Sequence, residues 1–282
     1  MYSFREIETA DLPAVAALLT EGFPRRSPDF WDDRLQRLRT RTAAPGTPQF
    51  GYGIETADGL QGVALALGSV HAADDGAMTI VNISSWTVRP ALRGKPAKEL
   101  YGHASRLPGL TYSNLSAALH TQKAIKAFGF AERTAGQFIG IGTRRSRARV
   151  AVLPRRDAER HGLNDAMAEM LAHHEQRGCI ALCLDLPDRL APLLFLPRRV
   201  KPGLPIAQLI YCQRESDLID HGATISAALL KRGFLALLVD ASAPVPGMLG
   251  RYVPGRAAKY YKGPFPGLFV DHSYSEMIYI GF

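Results

Sequence analysis

Val81-Asn82-Ile83-Ser84-Ser85-Trp86-Thr87-Val88-Arg89-Pro90-Ala91-Leu92-Arg93-Gly94-Lys95-Pro96-Ala97-Lys98-Glu99-Leu100 reads as an apolar strand, a short basic turn holding a glycine, and a helix that begins at a proline. A strand delivered into a helix start leaves several backbone N–H groups without partners. Those groups and the helix dipole suit a phosphate. Arg93, Lys95 and Lys98 add positive charge at the same place. Pro96 favours helix initiation, because the N–H it lacks has no helical partner at that position. It also removes one donor from the cradle, leaving the amides of Lys95, Ala97 and Lys98.

Working outward, residues 3–7 form a short mixed strand, and Asp11 stands where it can cap a helix carrying Leu12, Val15, Leu18 and Leu19. Ser27-Pro28 opens a second helix with Phe30, Trp31, Leu35 and Leu38 on one face. Asp58-Gly59 turns the strand 50–55 into the strand 60–67, and Asp75-Gly76 leads into 78–88. The helix 96–106 and a fifth strand, 110–113, follow. A helix opened by Asn114 or Ser116 runs to about Ala127. Phe128-Gly129-Phe130 precedes a strand through Ile141.

The segment Val88-Arg89-Pro90-Ala91-Leu92-Arg93-Gly94-Lys95 resembles the Val-x-Pro-x-x-Arg-Gly-Lys segment of the GNAT (GCN5-related) N-acyltransferases. The order of elements over residues 1–142 and the Gly-Phe at 129–130 resemble the same family. The family continues with Gly-x-Gly/Ala where this chain has Pro96 and Lys98. The resemblance implies that Arg93, Gly94, Lys95, Pro96, Ala97 and Lys98 hold the pyrophosphate of acyl-coenzyme A. Trp86 and Val88, along its pantetheine arm, and Asn114 complete the set expected to touch this co-substrate.

Residues 150–282 repeat the plan in a more divergent form, in element order rather than residue identity. Strand 150–153, helix 164–176 and strands 180–184, 192–196 and 206–212 are followed by a helix capped by Asp217 and running to Lys231. Strand 234–239, a short helix at 256–262 and a last strand at 277–280 complete it. No Arg-Gly turn follows Cys212. The expected fold is therefore α/β, with two GNAT-like halves, each a mixed, mostly antiparallel sheet flanked by helices. Residues 1–146 form the acyl-coenzyme A domain, and residues 147–282 shape the acceptor site.

A chain of 282 residues with 46% hydrophobic and 21% charged side chains can bury a sizeable core and has the balance of a globular protein. No apolar run approaches the ~18 residues of a membrane span. The N-terminus lacks the basic-then-apolar plan of a signal peptide, so a cytoplasmic location is expected. Three cysteines suit a reducing compartment rather than a disulfide framework. Cys179 and Cys183 read as core residues, and so does Cys212. No metal site is expected, because no ligand pair stands at zinc spacing.

The net charge of +8 raises the question of an anionic partner. Coenzyme A is one such anion. No nucleic-acid motif accompanies the charge, although a transferase using aminoacyl-tRNA stays open as an alternative. A non-catalytic module that binds acyl-coenzyme A or a protein partner is a second alternative.

In the resembling family an acceptor amine attacks the thioester while a base removes its proton. The usual glutamate of the fourth strand is absent, with Asn82, Ser84 and Ser85 in its place. Ile125 stands where a tyrosine is common. His120 is the remaining titratable candidate for proton transfer. Asn82 and Ser84 can position an acceptor or a water, and Tyr260 is a reserve. The expected activity is acyl transfer from acyl-coenzyme A to an amine of a small molecule, sugar or peptide.

Overall fold

The computed structural model describes residues 1–73, 76–141, 150–199, 203–265 and 267–281. The arginine-rich stretch 144–149, residues 200–201 and the turn residue Asp75 lie outside them. The chain gathers into two compact units. One comprises Met1–Glu132, Lys259–Pro266 and Tyr274–Phe282; the other comprises Arg133–Ala258 and Gly267–Ser273.

The first unit opens with β1 (Ser3–Glu6), α1 (Leu12–Gly22) and α2 (Pro28–Arg39). Helix α2 begins where the sequence says. The Ser27 hydroxyl accepts from the Phe30 amide at 3.2 Å, Pro28 starts the first turn, and Arg37 and Arg39 sit in the last. Its apolar stripe buries Trp31, Leu35 and Leu38. Asp11 makes no side-chain cap for α1. Its carboxylate instead accepts from the Glu8 amide at 2.8 Å and pairs with Arg5.

The strands β2 (Gly51–Thr56), β3 (Gly59–Ala73) and β4 (Gly76–Val88) form an antiparallel meander, with the β2–β3 turn at Asp58-Gly59. Helix α3 (Lys95–Ala104) then carries the chain to β5 (Thr111–Asn114), which pairs parallel to β4. The helix expected from Asn114 or Ser116 begins later. Asn114 belongs to β5, a 3₁₀ turn covers Leu119–Thr121, and α4 is Gln122–Ala127.

In the second unit, β6 (Ala131–Ile141), whose first two residues count with the first unit, is followed by β7 (Ala151–Pro154), α5 (Arg155–Arg160) and α6 (Asp165–Glu175). Next come β8 (Ile180–Asp185), β9 (Leu190–Arg199), β10 (Pro205–Cys212), α7 (Glu215–Leu230) and β11 (Ala236–Ala241). Strands β7 to β10 pair antiparallel in chain order, and β11 lies parallel to β10. The pair β10–α7–β11 thus repeats β4–α3–β5, the strand–helix–parallel strand connection. Leu193, Phe195, Leu209, Leu218, Ile225, Leu237 and Val239 are in the core of this unit.

The rest of the chain is β12 (Gly250–Lys262), β13 (Val270–Asp271) and α8 (Glu276–Tyr279). Three sequence expectations are corrected here. Residues 256–262 belong to the extended β12, because Tyr260, Tyr261 and Lys262 pair with Asn114, Ser113 and Tyr112 of β5. Residues 277–280 are no strand: Ser275 accepts from the Met277 amide at 3.3 Å and starts the short α8. Asp217 lies in the first turn of α7, whose N-cap is Arg214, and Asp217 pairs with Arg189.

Each unit takes a strand from the opposite half of the sequence. The end of β12 pairs with β5 in the first unit, and β6 pairs with β11 in the second.

Candidate active site

The site begins where β4 and β5 part. Their parallel pairing covers Ile80 with Thr111, Val81 with Tyr112 and Asn82 with Ser113. One step further along β4 the register against β3 slips, from Ser84 opposite Leu65 to Thr87 opposite Val63. The extra residue is a β-bulge, and Ser85 adopts φ +47° there. A bulge bends its strand and breaks the ladder locally. Beyond the last paired residues lies a cavity of about 820 Å³, a volume ordinary for a small-molecule site.

Ser84–Val88 line one side of the cavity, and Asn114, Ser116–Ala118, His120 and Thr121 line another. Phe23 after α1 and Phe30 and Trp31 on α2 supply aromatic surface, with Trp86, Ile125 and Ile280 adding more. Arg26 reaches the cavity with its guanidinium 4.6 Å from the centre of the Phe30 ring. Arg93, Gly94, Ala97 and Lys98, at the start of α3, complete the lining.

The turn into α3 has the form its sequence implies. Pro90 starts a 3₁₀ turn, and Gly94 is the N-cap of α3 with φ +101° and ψ −122°. A Cβ on Gly94 would meet nothing within 4 Å, so it is the backbone angle, not space, that calls for glycine. Arg93 and Lys98 are exposed on the cavity. Lys95 and Pro96 are not among its lining residues, and the Lys95 ammonium stands 3.7 Å from Glu99, one turn further along the helix.

The remaining predicted residues divide. Trp86, Val88, Ser84, Asn114 and His120 meet at the cavity. Asn82 is buried behind it: its amide nitrogen reaches the Ser113 hydroxyl at 3.2 Å, and its carbonyl oxygen accepts from the Glu276 amide at 2.8 Å. Tyr260 is fully buried and does not line the cavity. Its hydroxyl donates to Glu132 at 3.1 Å, and burial, followed by that carboxylate, pushes it up to about 12. All three cysteines are buried and unpaired, and burial pushes each thiol up to about 12. None is poised as a nucleophile. Among the described residues, no group of three or more His, Cys, Asp or Glu is placed to hold a metal ion.

One group was missed by sequence reasoning. Glu276 has no exposed surface, and neither of its carboxylate oxygens makes a hydrogen bond of ordinary geometry. Burial pushes it up to about 7. The Ser116 and Ser84 hydroxyls are the first of its neighbours to oppose that shift, followed by the Lys259 ammonium and the Leu115 backbone. Ser84 and Ser116 both line the cavity, so the carboxyl stands directly behind its wall. The Ser275 cap just before Glu276 marks a helix start in the sequence, not a site.

No family model and no curated protein matches this sequence. Solved structures do match its fold. A GCN5-related N-acetyltransferase from Anabaena variabilis superposes with a TM-score of 0.56 at 11% identity, over 93% of this chain and 72% of that one. A GCN5-related N-acetyltransferase from Kribbella flavida gives 0.53 at 12% identity, over 93% and 70%. A GCN5-related glucosamine N-acetyltransferase region of a fungal multi-domain β-N-acetylglucosaminidase gives 0.55 at 14% identity, over 93% of this chain and 38% of that one. At these identities the likeness is one of fold: this chain has a GNAT-like fold, in two halves.

Proposed function

We propose that this protein moves an acyl group from acyl-coenzyme A to an amine of a small molecule, sugar or peptide. The observation that carries this reading is the cavity opened by the parting of β4 and β5, with the basic turn Arg93–Lys98 at one end. Peptide groups along Ser84–Val88 lie beside the gap and suit the amides of a pantetheine arm. The aromatic lining suits its aliphatic carbons and the acyl group. The amides at the start of α3, with Arg93 and Lys98, suit the pyrophosphate. His120, exposed on the cavity, brings an imidazole that can give or take a proton, and we assign it a part in proton transfer. A thioester donor needs no metal for this chemistry. A cytoplasmic location fits a donor made inside cells and three unpaired cysteines.

In this reading residues 1–146 take the donor and residues 147–282 contribute to the choice of acceptor. The segment 274–282 contributes within the first unit, where Ile280 and Gly281 line the cavity. The donor assignment is tested by calorimetric titration with acetyl-coenzyme A. Replacing Arg93 and Lys98 together with Ala is expected to weaken binding by roughly 1–3 kcal/mol, the loss of charge-assisted contacts to phosphate. Lys95→Ala is expected to change it by less than about 0.5 kcal/mol, because an exposed lysine paired along its own helix contributes little. Unchanged affinity in the double variant would place the donor elsewhere. Titration with tRNA in the same cell separates the alternative donor.

A further inference from the structure

Resting on the acyl-transfer reading, we propose that Glu276 is the terminal proton acceptor of that reaction, reached from the cavity through the Ser84 and Ser116 hydroxyls. Its placement carries the argument. The carboxyl is wholly enclosed, a costly place for an acid, and the Ser116 and Ser84 hydroxyls and the Leu115 backbone are the polar groups that face it. The two hydroxyls beside it are lining groups of the cavity, and Ser116 is exposed there. Asn82 on β4 fixes the start of α8 by accepting from the Glu276 amide. The carboxyl thus arrives beside β4 from a segment 194 residues away in sequence, although β4 carries none of its own.

Among the described residues, the charged and titratable groups facing Glu276 include Lys259 and Tyr101. Lys259 of β12 lies close enough to favour the carboxylate, and its ammonium donates to the Leu115 carbonyl at 2.7 Å. Tyr101 of α3, held by the Asn114 amide at 3.1 Å, is itself raised, mainly by burial and further by Glu276. Tyr101, so raised, keeps its own proton near neutrality. With the carboxyl at about 7, it is ionised and able to accept on the alkaline side of neutrality.

The step balances as follows. An acceptor ammonium gives one proton to a serine oxygen, and that serine's own proton passes to the Glu276 carboxylate. The freed nitrogen lone pair attacks the thioester carbon, and the C–N bond forms. The intermediate collapses, the C–S bond breaks, and the thiolate leaves with the bonding electron pair. The nitrogen's second surplus proton ends on the thiolate, and Glu276 returns its proton to solvent. The products are an amide, coenzyme A and one released proton.

The test is the pH dependence of turnover with acetyl-coenzyme A and a panel of amines, for wild type, Glu276→Gln, Ser84→Ala/Ser116→Ala and His120→Gln. Wild-type kcat is expected to rise through an inflection near pH 7. Glu276→Gln should lose the inflection and at least tenfold in kcat above it, with KM for acetyl-coenzyme A and calorimetric affinity unchanged. The serine double variant should lose the inflection too, and His120→Gln should lower kcat while keeping it. Infrared difference spectra of wild type against Glu276→Gln should show a protonated-carboxyl band that disappears near pH 7. A Glu276→Gln enzyme with wild-type kcat and profile overturns the relay alone, as does a band already lost below pH 5. A wild type that neither binds nor turns over acetyl-coenzyme A overturns the acyl-transfer reading and the relay with it.

Discussion

Glu276→Gln is expected to stabilise the folded protein at pH 8 by roughly 3 kcal/mol relative to wild type, and to leave it almost unchanged at pH 4. The carboxyl has an ordinary value of 4.5 and is raised to about 7 in the fold by burial. Below pH 4.5 both folded and unfolded chains hold the proton, and burial has no charge to penalise. Between 4.5 and 7 the unfolded chain ionises freely while the folded chain must keep its proton or bury a charge. Stability therefore falls as pH rises through this window, and the full cost is present above 7. Glutamine has nearly the same shape and no charge, so its difference from wild type isolates this one group. Urea denaturation from pH 4 to pH 8 measures it. A difference that stays constant across that range would mean that the carboxyl titrates alike in both states.

A second large effect is expected at Arg41. This side chain is 6% exposed, and burial lowers its guanidinium to about 10. It donates to the carbonyls of Gly68 at 2.8 Å, Pro48 at 3.1 Å and Gln49 at 2.5 Å. Gln49 in turn donates to the carbonyls of Leu38 and Arg41. Together they tie the connection between α2 and β2, and α2 carries Phe30 and Trp31 of the cavity. Arg41→Ala leaves three carbonyls without that donor and opens a void, for an expected loss of about 3 kcal/mol. Arg41→Lys should recover part of it, since an ammonium has three donors but cannot span the same fork. Equilibrium unfolding in urea, with an unchanged slope, checks both. A loss below about 1 kcal/mol in Arg41→Ala would show that water replaces the guanidinium.

The parts of the fold that were legible in the sequence are those whose signals are local. Ser27-Pro28 marks a helix start because the hydroxyl and the imino ring act within one turn. Asp58-Gly59 marks a hairpin because a positive φ is needed there, and Gly59 has φ +83°. Pro90, Gly94 and Pro96 fix the turn into α3 for the same kind of reason. The misread elements depend on distant partners. Arg256–Lys262 contains Ala-Ala-Lys, which suits a helix, but three pairs with β5 draw its end into a strand. Residues 277–280 are an apolar run too short for periodicity to tell helix from strand.

The same distinction governs the candidate site. Arg93, Gly94, Ala97 and Lys98, which line the cavity, belong to a phosphate-type turn written in consecutive residues. Lys95 was included for its charge and its backbone amide, and only the helix register shows its ammonium near Glu99. Glu276 gave no such sign. Its neighbours Ser84, Ser116 and Lys259 come from three separate stretches of chain, and no spacing rule connects them.

The exchange of strands between the two halves of the sequence sets a timetable for synthesis. At roughly 5–20 residues per second, the ribosome reaches Glu276 some 10–40 seconds after Asn82, the residue that anchors it. During that interval β5 lacks its β12 neighbour, and the cavity lacks Ile280, Gly281 and the carboxyl behind its wall. A nascent chain in this state has the turn at Arg93–Lys98 but not the carboxyl proposed to withdraw the proton. The cavity wall is therefore complete only after all of residues 133–258 have been made.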